Sequence, residues 1–168
     1  MEEIINRVSK SPLISLDFDE YIGSSDRAFF DLKDGLFHGM ILKEKEFREF
    51  LKNYDWESLR GKNVGVVCSA DAIIPSWAYM LVATRLEPVA KLMAFGGEEE
   101  LEKTLIDRAV DKILTQDLKD AKVVIKGCGN LKSRDYAYFQ LTKKLLPLVS
   151  SIMYGEPCST VPVYKRPK

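Results

Sequence analysis

The chain has 168 residues, 46% of them apolar and 30% charged, with 25 basic side chains against 25 acidic ones. That much apolar material builds a real core and excludes a disordered chain. The zero net charge argues against a dedicated nucleic-acid binder, and no apolar run approaches the roughly 18 residues of a membrane span.

The start, Met1-Glu2-Glu3-Ile4-Ile5, is acidic where a secretion signal would be basic. Three cysteines without a disulfide framework point to the reducing cytoplasm. The neutrality hides an asymmetry: residues 1–57 carry 13 acids against 8 bases, and the remainder reverses the excess. A solvated basic face explains this, as does a C-terminal third that lowers thiol pKa values or attracts an anion.

Glu2–Val8 reads as a short helix or turn. Ile14, Leu16 and Phe18 alternate with Ser15, Asp17 and Asp19, the period of a half-exposed strand. Arg27–Leu32 reads as a second strand, Lys33-Asp34-Gly35 as a hairpin turn and Leu36–Leu42 as a third strand. Residues 1–42 are therefore expected to form an antiparallel meander.

Lys43–Tyr54 has helical spacing of Phe47, Phe50, Leu51 and Tyr54. Asn63–Cys68 is a buried strand, Pro75–Leu86 a helix, and Val89–Phe95 another strand. Glu98–Leu114 is a helix with three glutamates on its positive end and Leu101, Leu105, Ala109 and Ile113 on one face. Lys122–Lys126 is a strand, about 133–149 a helix, and Ile152–Tyr154 and Val161–Tyr164 are short strands. The 43–168 stretch is then an α/β core: a small, mostly parallel sheet flanked by helices, in one domain spanning 1–168. No internal repeat is evident.

Cys68 and Cys128 each follow a strand and precede a helix, the edge where α/β sheets bind ligands. Cys158 sits in the turn 155–160. Three thiolates suffice for zinc or part of an iron–sulfur cluster if a fourth ligand joins them, with Asp71 and Glu156 as oxygen candidates. The spacing has no CxxC pair, and buried cysteine as a small apolar residue explains it equally. A third reading makes Cys128 a nucleophile, near Lys126, Lys132 and Arg134 in sequence, with Ser159 or Thr160 orienting a substrate. His38, the single histidine, lies in an apparent strand and reads as structural. Gly127–Asn130 lacks the spacing of a phosphate loop. Trp77, Tyr79, Tyr136, Tyr138 and Phe139 sit at helical spacing, as core or subunit-contact residues do. The tail Ser159–Arg166 reads as an edge strand.

The segments Ser69–Ile73 with Pro75 and Trp77–Tyr79, Val124–Cys128, and above all Met153–Pro162 resemble the uncharacterised bacterial family DUF 2480, best represented in the Bacteroidetes. Leu42–Lys45 and Phe47-Arg48 fit it as well. The resemblance carries no activity. It implies that all three cysteines lie in signature segments, and it associates the family by gene neighbourhood with iron–sulfur assembly proteins as partners. His38 falls outside the matching segments.

The leading expectation is a cytosolic metal- or iron–sulfur-binding accessory protein holding its ligand through Cys68, Cys128 and Cys158 at one sheet edge. The rivals are a cysteine-dependent enzyme and a non-catalytic interaction protein. The unpaired strand edges and the aromatic content add a homodimer to the expectations.

Overall fold

The computed structural model describes residues 13–23, 26–113, 116–127, 129–156 and 158–167. The expected Glu2–Val8 helix lies outside them. In chain order the elements begin with β1 (Leu13–Leu16), α1 (Asp19–Ile22) and β2 (Arg27–Asp31). Then come α2 (Glu44–Asn53), β3 (Asn63–Val67), α3 (Ser76–Leu86), β4 (Leu92–Phe95) and α4 (Glu98–Lys112). The chain ends with β5 (Lys122–Ile125), α5 (Arg134–Leu145), β6 (Ser151–Glu156) and β7 (Ser159–Lys165). The fold is α/β, and no described helix is long and apolar enough to cross a membrane.

Two compact units emerge, residues 24–104 and residues 1–23 with 105–168. In the first, β2, β3 and β4 form a parallel sheet in that order. Val64 and Val66 of β3 and Phe30 of β2 pack with Phe47 and Leu51 of α2 and with Ala78, Val82 and Leu86 of α3. Trp56 stacks on Phe30 at 5.1 Å and is fixed by donating its indole N–H to the Leu51 carbonyl at 2.8 Å. Buried Glu102, only 3% exposed, faces Arg27 of β2 at 3.4 Å, the partner a buried carboxylate needs.

In the second unit the order is β1-β5-β6-β7, the first three parallel and β7 antiparallel to β6. Val123, Ile125 and Ile152 pack with Ile106, Ala109 and Val110 of α4 and with Ala137, Leu141 and Leu145 of α5.

The antiparallel meander is not formed. β1 pairs with β5 and β2 with β3, both parallel and in different sheets. Alternation of apolar side chains reveals a strand and its faces but not its neighbour. Lys33-Asp34-Gly35 is not a hairpin turn. The Asp31 carboxylate accepts the Lys33 N–H at 3.0 Å and starts a 3-10 turn over Leu32–Gly35. Of the third strand only a bridge between Phe37 and Ile41 exists, closing a turn in which His38 has φ 49°. Nor is the 43–168 stretch built on one small sheet, because β3 and β4 belong to one sheet and β5 to the other.

The two units also overturn the reading that the chain has no repeat. Displaced by a constant 59 residues, β3-α3-β4 and β5-α5-β6 coincide, Asn63 with Lys122 and Phe95 with Tyr154. The hydrogen bonds repeat with the same displacement. Gly61 N–H donates to Val89 O at 2.9 Å, and Asp120 N–H to Leu148 O at 2.9 Å. Lys91 N–H donates to Lys62 O and Ser150 N–H to Ala121 O, each at 2.8 Å. Positive φ recurs as well, at Gly61 (71°) and Asp120 (58°) and at Gly96 (124°) and Gly155 (122°). Further upstream α2 corresponds to the end of α4, so Phe47 matches Ile106 and both are wholly buried. The displacement breaks at both ends: β1 from the N-terminal stretch holds beside β5 the place that β2 holds beside β3, and α4 follows β4 where β7 follows β6.

Candidate functional site

Parallel strands deliver their carboxyl ends, with the loops that follow, to one edge. Each unit has such an edge, and each begins with an aspartate on the first strand. Asp17 follows Leu16 and Asp31 follows Phe30, and each carboxylate accepts the N–H two residues on, from Asp19 at 3.2 Å and from Lys33 at 3.0 Å. This side-chain turn is a local device of aspartate.

In the 24–104 unit the edge is closed by its own groups. Asp31 also accepts the Ser69 N–H at 3.0 Å and the Ser69 hydroxyl at 2.5 Å, while Lys33 Nζ stands 3.5 Å away. Burial by itself would raise the Asp31 pKa, but the bonds from Ser69 and Lys33 and the Lys33 charge outweigh it and hold the carboxyl below its ordinary value. Cys68, next to Ser69, is half-buried, and its thiol donates weakly to Ala70 O at 3.7 Å. The Tyr79 phenol is pushed up by burial and then by Cys68 and Asp31, so it stays a neutral donor.

The other edge is arranged differently. Lys126 Nζ lies 4.0 Å from Asp17 Oδ2, and the Lys126 N–H donates to Leu16 O at 3.0 Å. Asp19 has its pKa raised by burial and by the adjacent charge of Asp17. A Cβ on Gly129 would lie 2.9 Å from Asp19 Oδ1, and one on Gly127 would lie 2.8 Å from the Tyr154 hydroxyl oxygen, so both side-chain tips come close to the loop backbone. The carboxylate beside Gly129 also speaks against an anion-cradling loop here. Tyr138 donates to Lys126 O at 3.2 Å, and its phenol is pushed up to about 12 by burial, then by Tyr154 and Asp19. The Tyr138 and Tyr154 rings meet edge-on at 5.1 Å, as the equivalent Tyr79 and Phe95 do at 5.0 Å.

The cysteines are not all on one sheet. Cys68 follows β3, whereas Cys158 follows β6 in the other sheet, exposed in the β6–β7 turn. Cys128 lies outside the described residues. Asp71 is exposed in the loop after β3, and Glu156 is exposed at the end of β6. Among the described residues no three His, Cys, Asp or Glu side chains are grouped to hold a metal ion. His38 is exposed in its turn rather than set in a strand. Ser159 is exposed, and the Thr160 hydroxyl turns to Met153 Sδ at 3.7 Å.

Trp77, Tyr79, Tyr136 and Tyr138 are partly buried against the cores, as their helical spacing implied. Tyr136 donates to Asp107 at 2.9 Å. Phe139 is the exception, 70% exposed. The β7 tail pairs within its own chain, with β6. Sequence reasoning passed over Asp17, Asp19 and Asp31 as edge groups. The available signal was an aspartate placed directly after an apolar strand residue, twice.

The chain matches over residues 2–166 the family described as "Protein of unknown function (DUF2480)", and it belongs to that family. No curated protein and no solved structure matches it.

Proposed function

We propose that the chain is a binding protein for a soft metal ion, zinc or an iron–sulfur cluster, held at the carboxyl edge of β1, β5 and β6. One observation supports this reading: β5 and β6 are parallel, so the chain leaves both at the same sheet edge, after Ile125 toward Cys128 and after Glu156 toward Cys158. Thiolates supply the soft ligands and carboxylates, Glu156 included, the hard ones. Cys68 and Asp71 belong to the 24–104 unit. Iron–sulfur assembly proteins are the natural suppliers of such a cargo.

Metal analysis of protein purified without oxygen tests the reading. The expected result is near-stoichiometric zinc or iron, lost in Cys128→Ser and in Cys158→Ser. Metal at background in the parent protein overturns it.

The enzyme reading, with Cys128 as nucleophile, has less in its favour. The Thr160 hydroxyl, one of the two offered to orient a substrate, is engaged with Met153. Stoichiometric labelling of one low-pKa thiol would favour it.

A further inference from the structure

We infer that α5 is the contact helix of a symmetric homodimer, two copies crossing antiparallel about Phe139. Beside α5 runs an open groove of about 630 Å³, lined by Tyr138, Phe139, Leu146, Tyr154 and Val163 and edged by Asp135 and Lys143. Phe139 is 70% exposed and Leu146 38%. Large apolar groups gathered in this way on a surface mark an association site.

The charges select the occupant. Asp135 lies four residues before Phe139 and Lys143 four after it, all along the groove. A two-fold axis through Phe139 therefore sets Asp135 against the partner subunit's Lys143 and repeats the pair on the other side. This is the self-complementarity that an isologous interface requires. The eight-residue spacing is about 12 Å of helix, long enough for Phe139 to fill the middle of the contact while the pairs rim it. Neither Asp135 nor Lys143 has an ion pair among the described residues.

The repeat supplies a control within the same chain. At the matching positions α3 has Ser76, Met80 and Thr84, so the shared helix geometry does not call for the two charges.

An acid near the start and a base near the end of a helix also satisfy its own dipole. The test therefore reads association, by sedimentation across a concentration series. The parent chain is expected to be a dimer. Phe139→Glu, at an exposed position, should leave the circular dichroism unchanged and raise the dissociation constant by about thirtyfold or more. Asp135→Lys and Lys143→Asp should each be monomeric alone, and an equimolar mixture of the two should form a heterodimer, because every pair is then opposite in sign. A monomeric parent chain overturns the inference. So does a dimer indifferent to Phe139→Glu, or a mixture that stays monomeric. These readouts do not depend on bound metal.

Discussion

Residues 44–97 and 103–156 solve one packing problem twice and finish it differently. Both bury a helix–strand–helix–strand unit around equivalent positions, Phe47 with Ile106, Ala78 with Ala137 and Leu86 with Leu145. At the carboxyl edge they part. Asp31 is consumed by Ser69 and Lys33, whereas among the described residues Asp17 meets the Asp19 N–H and a lysine at 4.0 Å, with Asp19 beside it. A duplicated scaffold can give one edge to stability and leave the other for chemistry. The Asp31 carboxylate of the 24–104 edge is met by several short bonds, and the Asp17 carboxylate of the second edge by fewer and longer ones.

The strongest test of the equivalence is in the cores. Leu86→Ala and Leu145→Ala each remove a wholly buried side chain from matching sites, and each should cost about 3 kcal/mol in denaturant unfolding. A difference between them greater than about 2 kcal/mol would break the packing comparison.

The paired glycines come next, and here the two halves should agree. A Cβ at Gly155 meets the Ser159 backbone oxygen at 2.6 Å, and one at Gly96 meets Glu100 Cγ at 2.5 Å and Cβ at 2.6 Å. Neither neighbour can swing aside, because a Cβ is fixed by its own backbone. Gly155→Ala and Gly96→Ala should therefore each cost about 3 kcal/mol, both carrying the strain of positive φ. Clearly unequal costs would show that one of the two turns yields where the other does not.

The edge aspartates sharpen the contrast through pH. Asp31→Ala removes the bonds from Ser69 and Lys33, whose donors then turn to water, and should cost about 1 kcal/mol, and Asp17→Ala less than about 0.5. Asp31 has a folded pKa below the ordinary 3.8, so its contribution is present above that value and lost as pH falls through the lowered one. Asp19 has a folded pKa above 3.8, so its contribution is present below that value and lost as pH rises through the raised one. Asp31→Asn should flatten the acid limb of a stability–pH curve, and Asp19→Asn should lift the neutral plateau. Curves that move in the same direction would remove the distinction between the two edges.

A comparable effect is expected at Tyr138. Tyr138→Phe removes one donation to Lys126 O, about 1 kcal/mol, and should abolish the phenol step near pH 12 in an ultraviolet titration. If that step survives, another tyrosine owns it.

What the sequence determined by itself is local. The spacing of Phe47, Leu51, Leu101, Leu105 and Ala109 placed α2 and α4, Pro75 placed the start of α3, and the valine runs placed β3 and β5, because periodicity is written within a few residues. The same reading located Cys68 and Cys158 after strands. Tertiary structure decided which strands are neighbours. Leu13–Leu16 alternates in the same way whether its partner is β2 or β5, and the pairing across more than a hundred residues is settled by which helices cover it. The repeat was hidden for a related reason. Phe47 against Ile106, Phe50 against Ala109 and Val82 against Leu141 bury equivalent places with different shapes, and a core asks for filled volume before it asks for particular residues. The edge groups followed the pairing. Asp17 and Asp31 become counterparts only once β1 and β2 lie beside β5 and β3, since a carboxylate at a strand end acquires its role from the strand that hydrogen bonding sets next to it.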